Sequence, residues 1–216
     1  MKDIAKKTPT LIVLNNANGY VIEIANQLKT WETLDWSIYR SKDADIEYSV
    51  FKGFGPTFNW NKKDSAFSLN HFKQVLYPFL DSATLAEIAN GLSMTPQAQI
   101  FQTALMKSMP VYALDYQCNL SSELNELLGL SGNEKMRALV NEQISTITNL
   151  GATVGPLSSI REMLLHPTGE RMTKERSTPS HKSKYITVSD LKKGTSPSEG
   201  ILTALAIEYI NENKKA

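Results

Sequence analysis

Short apolar runs separated by turn formers set the rhythm of this chain. Thr10-Leu11-Ile12-Val13-Leu14 is an unbroken β-prone run, which suits a strand buried on both faces. It stops at Asn15-Asn16-Ala17-Asn18-Gly19, a cluster of turn formers. Val21, Ile24, Ala25 and Leu28 then recur at i, i+3, i+4 and i+7, predicting one apolar face of a helix. Trp36, Ile38 and Tyr39 make a second strand, followed by Ser41 and a short helix through Ala44. This β-turn-α-β order is the opening of a doubly wound α/β sheet.

The pattern recurs at a third junction. Val75, Leu76 and Tyr77 form an apolar run that stops at Pro78, and Leu85, Ile88, Ala89 and Leu92 return at helical spacing beyond a small polar turn. Thr95-Pro96 reads as an N-cap with proline at the first helical position. That helix ends before Pro110, and Val111 to Leu114 is a further short strand. Ser131 with Glu134, and Ser159 with Glu162, each have capping-box spacing ahead of an apolar-periodic stretch, the second ending at His166-Pro167. Thr187 and Asp190 mark a helix start and Gly194 a stop.

Two segments break the rhythm. Residues 51–70 hold glycines, a proline and large aromatics, which predicts a long ordered loop: packed on its own aromatics, or serving as a lid or subunit contact. Residues 168–184 turn polar without apolar periodicity, as in a linker or loop. The expected organisation is therefore an α/β domain over 1–167, a polar linker or loop over 168–184, and a C-terminal segment over 185–216 packing on the same domain.

Composition narrows the function. Among 216 residues, Lys plus Arg is 23 and Asp plus Glu is 22, so the charge balance offers no electrostatic case for nucleic-acid or membrane binding. No apolar run approaches the ~20 residues that span a bilayer. A single cysteine, Cys118, precludes an internal disulfide and fits a reducing cytoplasm. A cytoplasmic domain is expected. His71, His166 and His181 have no metal-site spacing, and glycine-rich phosphate loops and a nucleophile elbow are lacking. No catalytic residue can be named. What remains is the set of turns after the strands: Asn15 to Gly19, Ser41, and Asp81 to Thr84. In a doubly wound sheet they converge on one edge, where hydroxyls and helix N–H groups can hold an anion.

These pieces resemble the flavoprotein superfamily that includes the homo-oligomeric flavin-containing cysteine decarboxylases, the prenyl-flavin synthases and the second subunit of dipicolinate synthase. The family pattern in the third turn runs roughly P-x-(x)-S-x-N-T-x-A-K-I-A-x-G. Here Pro78 is followed by Asp81-Ser82-Ala83-Thr84-Leu85-Ala86-Glu87-Ile88-Ala89-Asn90-Gly91, so Thr84, Ile88, Ala89 and Gly91 match, while Ala83 and Glu87 replace the usual asparagine and lysine. Thr95-Pro96 and Lys107 to Val111 are similar to the dipicolinate-synthase branch. The tail, Tyr185 to Asp190 and Leu202 to Ala206, is similar to flavoproteins encoded with bacterial microcompartments.

The resemblance implies a flavodoxin-like three-layer α/β/α sandwich with a mostly parallel sheet, assembled as a homo-oligomer of trimers or multiples, with FMN at the subunit contact. Asn15, Asn16, Ala17, Gly19, Ser41, Asp81, Ser82 and Thr84 would surround FMN, Ser41 and Thr84 touching its phosphate. A redox or decarboxylase-type activity is implied, with a possible microcompartment or enzyme partner. Departures stand beside it: Ala113-Leu114-Asp115-Tyr116 is not the P-A-M-N of the decarboxylases, and Asp81 puts a carboxylate near the expected phosphate. The competing expectations are a flavin-free scaffold or partner-binding subunit, and a pocket for another phosphorylated ligand.

Overall fold

The computed structural model describes residues 7–41, 46–61, 68–165 and 185–213, and the chain divides into two compact units, 1–165 and 166–216. In the first unit β1 (Thr8–Leu14), β2 (Leu34–Arg40), β3 (Gln74–Tyr77), β4 (Val111–Leu114) and β5 (Thr153–Gly155) form one sheet. Its order is β2-β1-β3-β4-β5, and every pairing is parallel. The fold is α/β and flavodoxin-like. Chain order reverses between β1 and β3, which makes their carboxyl ends the topological switch point.

Alternation within strands buried on both faces explains the three layers. Leu11, Val13, Val75, Tyr77, Val111 and Ala113 face one core, shared with α2 (Ser82–Ala89), α3 (Pro96–Met106) and α5 (Glu134–Asn149). Ile12, Leu14, Leu76, Tyr112 and Leu114 face the other, shared with α1 (Val21–Lys29) and α6 (Leu157–Leu165). A strand covered on both sides needs apolar residues at consecutive positions, so β1 reads as a block although its side chains still alternate. α4 (Glu123–Leu127) lies in the loop region beyond β4.

Two expectations change and a third holds. α5 is capped by Asn133, whose side chain accepts from the Met136 N–H at 2.9 Å, so Ser131 is not the cap: Gly132, with φ +63°, takes the turn and leaves asparagine beside the first helical residue. α6 begins at Leu157, and Ser159 lies inside it; its opening N–H is met from a distance by the Tyr116 hydroxyl at 3.0 Å. The aromatic loop packs on its own aromatics, as its composition suggested. Phe51 is buried and stacks near Phe54 and Phe79, while Phe58 packs edge-on against Phe72 with ring centroids 5.2 Å apart. The helix expected through Ala44, residues 62–67 of the loop and the 168–184 segment lie outside the described residues.

In the second unit β6 (Tyr185–Ile186) pairs parallel with β7 (Ile201–Leu202), and α7 (Val188–Lys192) and α8 (Ala204–Asn213) follow them. Thr187 and Asp190 form the expected capping box, and Gly194 stops the helix region with φ +92°.

Where the aromatic loop meets the sheet edge, Phe58 N–H donates to the Ile38 carbonyl at 2.7 Å and Ile38 N–H to that of Pro56 at 3.0 Å. A Cβ on Gly55 would stand 1.7 Å from the Trp36 carbonyl oxygen. Gly55→Ala is therefore expected to cost at least about 2 kcal/mol, seen as a lower urea midpoint; an unchanged midpoint would show that the loop yields freely.

Candidate ligand site at the switch point

Three turns build the site. Asn15 leaves β1 at 1% exposure. Its Nδ2 donates to Thr84 Oγ1 at 2.7 Å and to Asp81 Oδ2 at 3.2 Å, tying the ends of β1 and β3 across the switch point. Asp81 is the N-cap of α2, its Oδ1 accepting from the Thr84 N–H at 2.7 Å. A carboxylate here also complements the positive end of the helix dipole. Asn15 Oδ1 is buried and has no hydrogen-bond partner, and an acceptor left so typically costs about 1–3 kcal/mol unless a donor meets it.

The turn after β4 clamps the turn after β1. Gln117 Oε1 accepts from the Asn18 N–H at 3.0 Å and its Nε2 donates to the Asn16 carbonyl at 2.9 Å. Asn125 Nδ2 in turn donates to the carbonyls of Gln117 and Asn119, each at 2.9 Å. Tyr20, the residue before α1, holds a left-handed backbone with φ 58° and supplies no side-chain cap. Its ring meets Tyr116 edge-on at 6.0 Å, and burial, then the neighbouring Glu123, push its phenol well above the usual range.

Between these turns opens a cavity of about 450 Å³, within the roughly 300–1,000 Å³ of small-molecule sites. Leu120, Leu130 and Met136 give it an apolar wall, and Asn18, Asp81 and Ser82 a polar one. None of the described residues lining it carries a positive charge. The lining is thus acceptor-rich on one side and able to cover a flat apolar ring on the other.

No family model matches the chain, and no curated protein sequence matches it. Solved structures do. The apo form of Burkholderia xenovorans DmrB, described as a cubic protein cage for redox transfer, aligns with TM-score 0.56 and 14% identity over 73% of this chain and 93% of that one. The FMN-dependent cysteine decarboxylase TvaF, from thioviridamide biosynthesis, aligns with TM-score 0.50 and 15% identity over 73% and 96%. A mutant PPC decarboxylase complexed with pantothenoylaminoethenethiol gives TM-score 0.50 and 14% identity over 69% and 81%. The chain shares the fold of these proteins. At these identities the likeness is one of fold, and it agrees with the resemblance read from the third turn.

Within that fold the candidate residues are distributed unevenly. Asn15, Asp81 and Thr84 form one hydrogen-bonded cluster, and Ser82 lines the cavity beside them. Asn16 contributes its carbonyl to the Gln117 clamp, Ala17 packs on the core, and a Cβ on Gly19 would stand 2.6 Å from Leu124. Ser41 follows β2, half-buried, and does not line the cavity. The Thr84 hydroxyl and N–H both meet protein partners. Gln117, Asn125 and the apolar wall were not anticipated, although Asp115-Tyr116-Gln117-Cys118-Asn119 follows a fourth parallel strand and converges on the same edge by the same argument. His71 is exposed, and no three metal-ligating side chains cluster among the described residues.

Cys118 lies beneath the clamp, fully buried. Burial, then the charge of Asp115, push its thiol from 9.0 to about 12, with Asp81 adding to the rise. Because the folded value is the higher, the stabilisation is complete below pH 9 and is lost as pH rises toward about 12. Cys118→Ala should therefore show a shallower loss of urea stability across that window than the parent protein; parallel curves would mean that the thiol titrates alike in both states.

Proposed function

We propose that the chain binds a flavin, FMN being the form named for TvaF, in the cavity at the β1/β3 edge. The observation that carries this reading is the cavity of about 450 Å³ at the switch point of a β2-β1-β3-β4-β5 sheet, the place where sheets of this order take their ligands. Leu120, Leu130 and Met136 would cover the isoalloxazine ring, and Asn18, Asp81 and Ser82 would meet its polar groups. A bound flavin supplies one- or two-electron transfer; the protein's part is to hold the ring and exclude water from it. The phosphate fits less well: the amino end of α2 is occupied by the Asp81 carboxylate. Ser41 and the uncapped amino end of α1 are the remaining places for it.

Assembly belongs to the same proposal. Leu130 and Met136 are 51% and 44% exposed where they line the cavity, and Leu139 nearby along α5 is 46% exposed. A second copy of the chain over this rim would cover the ring, in keeping with a homo-oligomeric, cytoplasmic flavoprotein acting as a redox or decarboxylase-type enzyme. Asp81 favours a second reading, a flavin-free scaffold or partner-binding subunit that keeps the fold.

Titration of the protein into FMN, followed by flavin fluorescence, separates the two readings. A saturable change that Ser82→Trp abolishes by filling the cavity is expected. No change at any protein concentration would leave the flavin-free scaffold.

A further inference from the structure

We infer that Asp81 is a specificity residue: its carboxylate fills the anion position at the amino end of α2, so that a ligand's terminal phosphate gains nothing there and FMN is an exchangeable ligand. This rests on the flavin reading and refines it.

The first ground is donor supply. An open helix amino end offers N–H groups to an anion. Here the Thr84 N–H already donates to Asp81 Oδ1 at 2.7 Å, and the neighbouring amide of Asn15 donates to Oδ2 at 3.2 Å. The Thr84 N–H and the Asn15 amide, two donors a phosphate at this end would use, are committed to a carboxylate built into the chain.

The second ground is charge. Asp81 lines the cavity, and no described residue of the lining is cationic. A dianionic phosphate brought to this end would meet a fixed negative charge without a counter-ion, and like charges disfavour one another's ionised forms.

The third ground is what the site offers instead. A carboxylate has about four acceptor positions, and only one bond to each oxygen of Asp81 is made within the protein. Ser82 and Asn18 add further polar groups to the same wall of the cavity. Acceptors of this kind suit the hydroxyls of a ribityl chain and do not suit a phosphate.

The test compares the parent protein with Asp81→Ser, which keeps a good N-cap and removes the charge; Asp81→Asn, which keeps the shape, guards against a folding defect in the first. Dissociation constants are measured for riboflavin and FMN by fluorescence titration, and melting temperatures with and without inorganic phosphate. The parent is expected to bind riboflavin at least as tightly as FMN. Both variants should shift the preference toward FMN by about tenfold or more, the scale of removing one close like charge. Phosphate should raise the melting temperature of the variants and leave the parent unchanged. A parent that already prefers FMN tenfold, with that preference unaltered by the substitutions, would overturn the inference. If no protein binds either flavin, the flavin reading falls and phosphate decides: stabilisation of the variants alone sustains the role of Asp81, and equal responses overturn it.

Discussion

Two strands whose crossovers run in opposite directions leave a gap above their carboxyl ends, and in this chain one side chain bridges it. Asn15 reaches from the end of β1 to both Asp81 and Thr84 beyond β3, and Asp81 in turn fixes the start of α2. Because these groups are buried or half-buried, each bond is made in a medium where leaving it unmade is costly. The Gln117 clamp adds a second tie, from the turn after β4 to the turn after β1. The cavity exists because the two ties pull the turns together while Leu120, Leu130 and Met136 keep its opposite wall apolar. The same tie decides the electrostatic character of the site: a carboxylate stands where a phosphate-binding edge would expose N–H groups.

Much of the first unit was legible in the sequence because its strands are short apolar runs and its turns are rich in Asn, Asp, Ser and Gly. The β-turn-α-β opening and the third junction translate directly into a parallel sheet, since a strand buried on both faces leaves little alternative reading. The C-terminal capping box was legible for a similar reason, being a local hydrogen-bond exchange between Thr187 and Asp190. β5 escaped notice: Thr153–Gly155 is three residues long, too short for any periodicity. The helix starts at Asn133 and Leu157 were misread because the sequence offers several acceptable caps within one turn, and the one used depends on tertiary partners such as the Tyr116 hydroxyl.

The site was half legible. Convergence of strand-end turns predicts that Asn15 and Asp81 share an edge, and the structure brings them into contact. What spacing could not give was the direction of each hydrogen bond. Asp81 and Thr84 sit where a family pattern puts ligand contacts, yet both are engaged within the protein. Nor could it give the fourth turn, where Gln117 and Asn125 work through backbone carbonyls and so leave no pattern of residue types to recognise. The aromatic loop was legible as one packed on its own aromatics, but composition could not say that its rings divide between two cores.

The central claim is that a ligand enters between the turns that Asn15 and Gln117 tie together. Backbone amide chemical shifts of the isotopically labelled protein, followed by NMR as riboflavin and then FMN are added, address it most directly. The account predicts shifts confined to the turns after β1, β3 and β4 and to the start of α5, with Ser82 and Asn18 among the largest. Shifts concentrated elsewhere in the sheet or on the far helical layer, or a spectrum that neither flavin alters, would contradict it.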